Sequence, residues 1–403
     1  MRSPFHLLFL ACALNCATPL LDSQDAKLGA QATVPMAVEG NVPIVTLGFK
    51  RPDGGLRTAR LVFDSGGGGV ILDQRLATDL ALKPEGASIF SNGSEYRRIT
   101  LPTAFIGSMP VDLRSSSAFV HLGSTSFDQR DKVEGLLPGK ALERYQVVVD
   151  YTRSLFSVGE SESLPHRGEA LPCPFVALSG HPRIELEIDG ATYGFLLDTG
   201  TSITLTRRDV LQKWSRQHAQ WPTSIGAAGP ANEVGVPDAN AFLIRVPAVQ
   251  LGAFTVPNVA MASRSNETFS STTYETPAPI IGALGGNVLR QFRVEIDYPR
   301  QLLFLEPQET RQPPDFDTVG LVLYIDDVNR LVVGALSSSA SKVTRRNVLR
   351  GDVILQINGL SEVHQSLLVA AKELSGTVGE RKELRILRNG KSMNVTAVVA
   401  RIL

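Results

Sequence analysis

Short apolar runs alternate with turns rich in Gly, Pro, Asn and Asp along most of the chain, a pattern typical of β-strands. Two of these runs end alike: residues 60–72 read RLVFDSGGGGVIL and residues 195–205 read FLLDTGTSITL. In each, an apolar strand leads into Asp, a hydroxyl residue and Gly. This can be a plain turn, in which Asp bonds its own backbone and Gly adopts a positive φ. It can also hold a catalytic carboxylate, which then requires a partner acid.

A longer repeat supplies that partner. Residues 135–156 (GLLPGKALERYQVVVDYTRSLF) and 282–303 (GALGGNVLRQFRVEIDYPRQLL) align without a gap, and each follows one of the two Asp-containing runs. We therefore predict that one unit occurs twice, over 30–160 and 165–308, built from short strands and short helices such as 287–291.

The last part of the chain has a different pattern. A polar, Pro-rich linker (QETRQPPDFD) leads into residues 316–403, where an amphipathic helix is predicted over 365–374. Asn389-Gly390 between two apolar-polar runs predicts a hairpin. This part is predicted to be a smaller α+β domain.

The first residues predict a signal peptide over 1–17, because an Arg precedes a short apolar run that ends in small residues. We expect an exported protein, periplasmic or extracellular, with Cys16 as an alternative lipid-anchor site. Membrane association is expected only through such an anchor, since no later apolar run reaches about eighteen residues. Cys173 is then left single, so no disulfide framework is expected.

Charge and motif content exclude several function classes. Lys+Arg and Asp+Glu number 40 each, so no basic field for nucleic acid is expected. The histidines are scattered without metal-ligand spacing, and no Gly-x-Ser-x-Gly motif occurs. The glycine run that follows Asp64 lacks the spacing of a dinucleotide loop. We therefore expect neither a metal nor a cofactor.

Asp64 and Asp198 lie on equivalent turns of the two units, so they can meet across an approximate twofold axis. Two carboxylates held close together cannot both ionise, so they share a proton and can activate a water between them. The charged acid takes the water's proton while the neutral acid bonds the substrate carbonyl.

The residues after each Asp have predicted supporting roles. The Ser65 and Thr199 hydroxyls are predicted to bond across to the opposite strand. The glycines are predicted to let backbone amides approach the carboxylates; they are Gly66 and Gly200. The Thr201 hydroxyl is predicted to bond Asp198 and favour its charged form, whereas Gly67 offers Asp64 nothing. Asp64 is then the protonated member.

At these motifs the chain resembles the aspartic proteases of the retropepsin and pepsin type, with both lobes in one polypeptide. The resemblance covers roughly 30–308 and rests on the two Asp motifs and on Ala283-Leu284-Gly285. It implies a mostly β, bilobal acid-protease fold, a cleft between the lobes and endopeptidase activity on polypeptide substrates. In the first lobe the corresponding residues are Leu136-Leu137-Pro138, for which we expect a distorted loop, and the glycine run is expected to loosen its turn.

The substrate flaps of such a fold are predicted in two places. Tyr96 is the candidate in the first-lobe hairpin FSNGSEYRRI. Gly226 and Gly229 mark a Gly-rich candidate in the second lobe. Asp150 and Asp297 also repeat, and we interpret them as hairpin acids that pair with Arg153 and Arg300.

The last domain resembles a PDZ domain through LRGDVILQING (349–359) and the preceding SSSAS. The resemblance implies that the backbone of Gly320, Leu321 and Val322 binds the C-terminal end of a peptide; mere packing is the alternative. For the whole chain, the alternative to an endopeptidase is a non-catalytic peptide-binding protein that retains the cleft.

Overall fold

The computed structural model describes residues 31–91, 94–122, 133–176, 180–226, 239–265, 269, 280–309, 316–326, 328, 330–361 and 367–403. The predicted signal peptide, Cys16, Gly229 and most of the linker lie outside these residues. Within the described part, no helix is long and apolar enough to cross a membrane.

Strands dominate the first lobe because its apolar residues recur at every second position. In chain order the strands are β1 (Gln31–Glu39), β2 (Val42–Lys50), β3 (Leu56–Asp64), β4 (Val70–Asp73), β5 (Glu85–Ser91), β6 (Ser94–Arg98), β7 (Ala104–Ile106), β8 (Met109–Val111), β9 (Ala118–Leu122), β10 (Val133–Pro138), β11 (Tyr145–Asp150) and β12 (Leu155–Glu160). Helix α1 (Gln74–Asp79) begins where the Asp73 carboxylate accepts the Leu76 amide, and a 3₁₀ helix spans Gly139–Leu142.

The second lobe repeats this order of elements. Its strands are β13 (Glu169–Pro172), β14 (Arg183–Ile188), β15 (Ala191–Leu197), β16 (Thr204–Arg207), β17 (Thr223–Ile225), β18 (Phe242–Leu251), β19 (Phe254–Arg264), β20 (Ile280–Leu284), β21 (Phe292–Asp297) and β22 (Leu302–Pro307). Helix α2 (Arg208–Gln217) and helix α3 (Gly286–Leu289) accompany them, the latter at the predicted 287–291. The prediction of a mostly β, bilobal fold is confirmed; the exact domain boundaries stay predictions.

One antiparallel sheet joins the lobes, in the order β13-β22-β21-β11-β12-β1. Its two central strands, β11 and β21, are equivalents in the repeat and pair with Val148 opposite Glu295. The approximate twofold axis therefore passes between them. A continuous apolar core includes residues of both lobes, so the lobes form one body.

Both lobes contain the same strand crossing. In the first, β10 pairs in parallel with β3 and antiparallel with β4; in the second, β20 pairs in parallel with β15 and antiparallel with β16. Gly135 and Gly282 occupy the crossings. A Cβ on either would lie 2.2 Å from a backbone oxygen, that of Ile71 or Leu205 respectively, so the repeated Gly is a steric requirement.

The acids of the repeated hairpins pair as predicted. The Arg153 amide donates to the Asp150 carboxylate at 3.0 Å, and the Arg300 amide donates to Asp297 at 3.3 Å. Each guanidinium also lies 3.9 Å from the same carboxylate. These two acids therefore stabilise turns.

The remaining residues form a small α+β domain with its own core. Its elements are β23 (Asp317–Thr318), β24 (Leu321–Ile325), β25 (Leu331–Leu336), α4 (Lys342–Asn347), β26 (Val353–Ile357), α5 (Leu367–Leu374), β27 (Arg381–Arg388), β28 (Lys391–Val398) and β29 (Ala400–Arg401). The predicted hairpin is confirmed, since Asn389 and Gly390 both have positive φ between β27 and β28. Whether the domain is a PDZ domain stays a prediction.

The C-terminal domain contacts the second lobe in two places. A ribbon of β23 and β29 brings Phe316, Ile402 and Leu403 into an apolar cluster of the second lobe. At the other place, the Ser338 amide donates to the Ile225 carbonyl at 2.9 Å, and the Ile225 amide donates to the Ser338 hydroxyl at 3.0 Å. The domain is thus fixed to the lobe by both apolar packing and hydrogen bonds.

Candidate active site

Equivalent strand ends hold the two predicted acids. Asp64 is the last residue of β3, and Asp198 directly follows β15. Phe63 and Leu197, the residues before them, are fully buried. Because the neighbouring strands β10 and β20 clamp both ends in parallel pairing, the carboxyl groups leave rigid supports.

A reciprocal set of hydrogen bonds locks the two turns together. The Ser65 hydroxyl donates to the Leu197 carbonyl at 2.7 Å and accepts the Thr199 amide at 3.0 Å. The Thr199 hydroxyl donates to the Phe63 carbonyl at 2.8 Å and accepts the Ser65 amide at 3.0 Å. Each hydroxyl therefore uses both its hydrogen and a lone pair to bind the other lobe, as predicted for these two residues.

Backbone amides orient the carboxylates. The Gly66 amide donates to the Asp64 carboxylate at 2.9 Å, and the Gly200 amide donates to Asp198 at 3.0 Å. Each glycine also faces the opposite acid: a Cβ on Gly200 would lie 2.4 Å from the Asp64 carboxyl carbon, and one on Gly66 would lie 3.0 Å from that of Asp198. The two carboxyl groups thus share one small space, and each is a hydrogen-bonding partner of the other.

This proximity perturbs both acids. Parts of both residues remain open to solvent, but the surrounding protein desolvates the carboxyl groups. Burial raises the pKa of Asp64 well above its ordinary value, and the charge of Asp198 raises it further. Burial also raises the pKa of Asp198, whereas the hydrogen bond with Asp64 and the charge of Arg264 act to lower it. The arrangement favours one shared proton, held on Asp64.

The predicted role of the Thr201 hydroxyl is wrong. That hydroxyl donates to the Ile203 carbonyl at 3.3 Å, so it is turned toward its own loop. The backbone amides of Thr201 and Gly67 act instead, each lowering the pKa of the Asp three residues before it. The two turns therefore supply the same backbone donors. The difference between the two pKa values comes from the interaction between the acids and from the charge of Arg264, which lowers the pKa of Asp198.

The glycine run is tightly packed where a loosened turn was expected. A Cβ on Gly67 would lie 2.9 Å from both the Asp64 carboxylate and the Leu136 side chain. One on Gly69 would lie 3.0 Å from the Phe119 ring, whereas Gly68 has open space around it. Lack of room for side chains beside the acid explains these glycines.

The loop at Pro138 is not distorted. Strand β10 continues through Pro138, which lies in register with Asp64. In the second lobe the Gly285 amide donates to the Thr204 hydroxyl at 3.2 Å. The strand registers place Pro138 and Val70 at the equivalent positions, so the first lobe lacks both the donor and the acceptor. Removing both partners leaves no unsatisfied group, which explains why the Pro is tolerated.

No contact among the described residues links the predicted flap residues to the two acids. Tyr96 lies on β6 opposite His121, with the two ring centroids 5.1 Å apart. Gly226 has a φ of 76° and lies against the C-terminal domain, where its ideal Cβ would be 3.6 Å from Ser337. Gly229 and the tip of the first hairpin lie outside the described residues. The flap roles stay predictions.

The predicted peptide-binding loop lies at the start of β24. Gly320 has a φ of 80°, and its carbonyl accepts the Ser337 amide at 2.8 Å. Leu321 and Val322 follow on β24, which is the edge strand of its sheet. Asp352 is structural: it is buried and receives two hydrogen bonds from Arg388, at 2.7 and 2.6 Å. Peptide binding by the loop stays a prediction.

Some residues near the acids escaped the sequence analysis. Tyr298 is fully buried beneath the first turn, and a Cβ on Gly139 would collide with its hydroxyl and with Ser65. The apolar residues Ile402 and Leu403, which follow the last strand, belong to the same buried cluster as Leu196 and Ile203 on either side of Asp198. The repeated Asp-Tyr pair in the sequence was a signal for Tyr298. No local pattern marks Ile402 and Leu403.

Among the described residues, no group of three or more His, Cys, Asp or Glu side chains is arranged to hold a metal ion.

No protein-family model matches the sequence. No curated protein matches it either. Among solved structures, the chain is similar to the crystal structure of aspartic proteinase from Irpex lacteus, with a TM-score of 0.44 and 13% sequence identity over 70% of this chain and 98% of that chain.

Proposed function

We propose that the chain is an aspartic-type endopeptidase that hydrolyses peptide bonds of polypeptide substrates through a water activated by Asp64 and Asp198. One observation carries the proposal: two carboxyl groups from equivalent turns of the two lobes share one small space, with the turns locked by the Ser65 and Thr199 hydroxyls. A structural turn needs one acid and no partner across an axis.

The two acids have complementary tasks. Asp198, the charged member, accepts a proton from the water as the water oxygen attacks the substrate carbonyl carbon. Asp64, the protonated member, donates its proton to the carbonyl oxygen, which gives a neutral tetrahedral diol. Asp198 then returns its proton to the amide nitrogen while Asp64 recovers the diol proton, and the C–N bond breaks. Protons and charges balance, and no covalent intermediate forms.

The test is cleavage of casein and of quenched fluorescent peptides by the parent chain and by Asp64→Asn and Asp198→Asn variants. Each variant is expected to lose at least about 100-fold in kcat/KM. Asp112→Asn is the matched control, because Asp112 is an acid of the same lobe that pairs with Arg114 and Arg144 away from the two turns. A pepstatin-type inhibitor is expected to block the parent. Cleavage that survives both Asn variants would refute the assignment.

A non-catalytic peptide-binding protein is the second candidate. The observation that favours it is that residues of the C-terminal domain belong to the same apolar cluster as Leu196 and Ile203, on either side of Asp198. This candidate predicts that labelled peptides bind the chain while no Asp-dependent cleavage product appears under any condition in which the fold is intact.

Export and a peptide ligand for the last domain belong to the same proposal. The segment 1–17 supports an exported chain, anchored to a membrane only if Cys16 is lipidated. The position of β24 at the edge of its sheet and the positive-φ Gly320 support binding of a peptide C-terminus. Fluorescence titration with a labelled peptide, with and without a C-terminal amide, tests this role; equal affinities would contradict it.

A further inference from the structure

The strand that carries Asp198 has two different faces. Side chains alternate along a strand, so Leu196 lies on the same side as Asp198, two residues and about 7 Å away. Phe195 and Leu197 face the opposite way, into the core that both lobes share. Leu196 instead belongs to a separate apolar cluster of the second lobe.

This cluster is one continuous sheet face. Leu196 lies beside Ala283 on β20, Ala283 lies opposite Leu205 on β16, and Leu205 lies beside Ala262 on β19. All four side chains belong to the same cluster, together with Ile203 in the loop after Asp198. The face therefore extends from the sheet directly to the candidate active site.

The equivalent face of the first lobe shows what this surface is without a cover. The strand registers make Val62, Ile71 and Leu136 the counterparts of Leu196, Leu205 and Ala283. All three first-lobe residues are partly exposed, whereas the three second-lobe residues are buried. The approximate symmetry of the lobes is thus broken at the acids.

Residues of the C-terminal domain belong to this buried cluster. Phe316, Ile402 and Leu403 pack into the second-lobe cluster, with 1%, 1% and 6% of their surface exposed. The Ile402 amide donates to the Phe316 carbonyl at 3.0 Å, which holds the cover as a short ribbon. The ribbon is not a loose tail, because the serine contacts at Ile225 fix the same domain to the same lobe.

The second lobe has smaller side chains on this face than the first lobe. The second lobe has Ala262 where the first lobe has Phe119, and Ala283 where the first lobe has Leu136. In the second lobe these two positions hold small side chains, and Ile402 and Leu403 belong to the same buried cluster as both of them.

We propose that Ile402 and Leu403 occupy the apolar site that the second lobe would otherwise present to a substrate side chain next to the cleaved bond. The inference rests on the proposed function, because it takes the space around the two acids as the substrate cleft. The protein then accepts a large apolar side chain only on the first-lobe side, beside Val62 and Leu136, and a small residue on the second-lobe side. The segment is a specificity-determining wall supplied by the C-terminal domain.

The experiment compares the parent with an Ile402→Ala/Leu403→Ala variant on peptides that carry Gly or Leu at each position flanking the cleaved bond. At one of the two positions the Leu/Gly ratio of kcat/KM is expected to rise by about 10-fold or more, since a pocket has opened there. At the other position the ratio is expected to stay unchanged. The milder Ile402→Val variant should shift the same ratio in the same direction by a smaller factor, which keeps the test decisive if the double variant fails to fold.

Val399→Ala is the matched control. Val399 lies three residues before Ile402 but is buried in the core of the C-terminal domain, away from the lobe. It should lower the stability of that domain and leave both ratios unchanged. If the Leu/Gly ratios of kcat/KM in all of these folded variants equal those of the parent, the proposal is overturned and the contact only joins the domains.

A binding measurement separates this proposal from the endopeptidase assignment. Calorimetry with uncleavable peptides, in which a reduced bond replaces the scissile amide, needs no turnover. The double variant is expected to bind the Leu peptide at least about 10-fold more tightly than the parent does, with the Gly peptide unchanged. If Asp198→Asn fails to abolish cleavage, the endopeptidase assignment is refuted. If the Leu peptide binds the double variant no more tightly than the parent, the proposed role of Ile402 and Leu403 is refuted.

Discussion

Replacing Thr199 by Val tests the lock between the two lobes with little change in side-chain volume. The Thr199 hydroxyl is fully buried and makes two hydrogen bonds, to the Phe63 carbonyl at 2.8 Å and from the Ser65 amide at 3.0 Å. Val leaves both backbone groups buried without this partner. Each such loss costs about 1–3 kcal/mol, so the variant should be less stable by roughly 2–5 kcal/mol.

Urea unfolding followed by tryptophan fluorescence measures this loss. The chain has two Trp residues, Trp214 and Trp221, and both are buried in the second lobe, so the signal reports the lobe that carries Thr199. We expect the midpoint to fall by roughly 1 M or more with an unchanged slope. Activity should fall with it, because the turns no longer hold the two acids in register.

Thr201→Val is the matched control, with the same change of atoms two residues away. The Thr201 hydroxyl makes one longer hydrogen bond, at 3.3 Å, from a half-buried position. Its loss should cost about 0.5–1.5 kcal/mol. Equal midpoints for the two Val variants would refute the reading of Thr199 as part of an interlobe lock. A double-mutant cycle with Ser65→Ala should show a coupling of about 0.5–3 kcal/mol, since the two hydroxyls serve one network.

Three further predictions follow from the same contacts. The raised pKa of Asp64 means that its contribution to stability is fully present below its unfolded pKa of 3.8 and is lost as the pH rises through the folded pKa. Asp64→Asn should therefore gain stability relative to the parent as the pH rises above about 4, and urea midpoints that keep a constant difference during this rise would contradict this. Gly200→Ala should abolish cleavage because its Cβ would lie 2.4 Å from the Asp64 carboxyl carbon, whereas Gly68→Ala should leave kcat/KM within about 2-fold because that site has open space. Burial raises the pKa of Cys173 to about 12, so iodoacetamide should label Cys173 only after unfolding, and mass-spectrometric detection of the label in the folded chain would show that the thiol is accessible.

The sequence predicted the parts of the fold that repeat. Two Asp motifs and two aligned downstream segments were enough to predict two lobes, the position of the acids and the crossing of the Ser65 and Thr199 hydroxyls. These features follow from local patterns that the duplication shows twice, so each copy supports the other.

Predictions that depended on a single position were less secure. The direction of the Thr201 hydroxyl is decided by the nearby Ile203 carbonyl, which a spacing argument does not include. Pro138 looked like a distortion because its compensating partner, Val70, lies far away in sequence and only the strand register brings the two together. The place of residues 402–403 was likewise unpredictable, since they join the cluster that contains Leu196 only through packing between domains.

During synthesis, the ribosome releases strand β11 long before β21 is made, although the two strands pair at the centre of the shared sheet. In that interval β11 presents the unpaired backbone groups of Tyr145–Asp150 along an open edge, with apolar side chains beside them. Such edges are where partly folded chains aggregate. The first half of this protein should therefore refold poorly by itself, and a nascent chain exposes this edge until β21 has emerged.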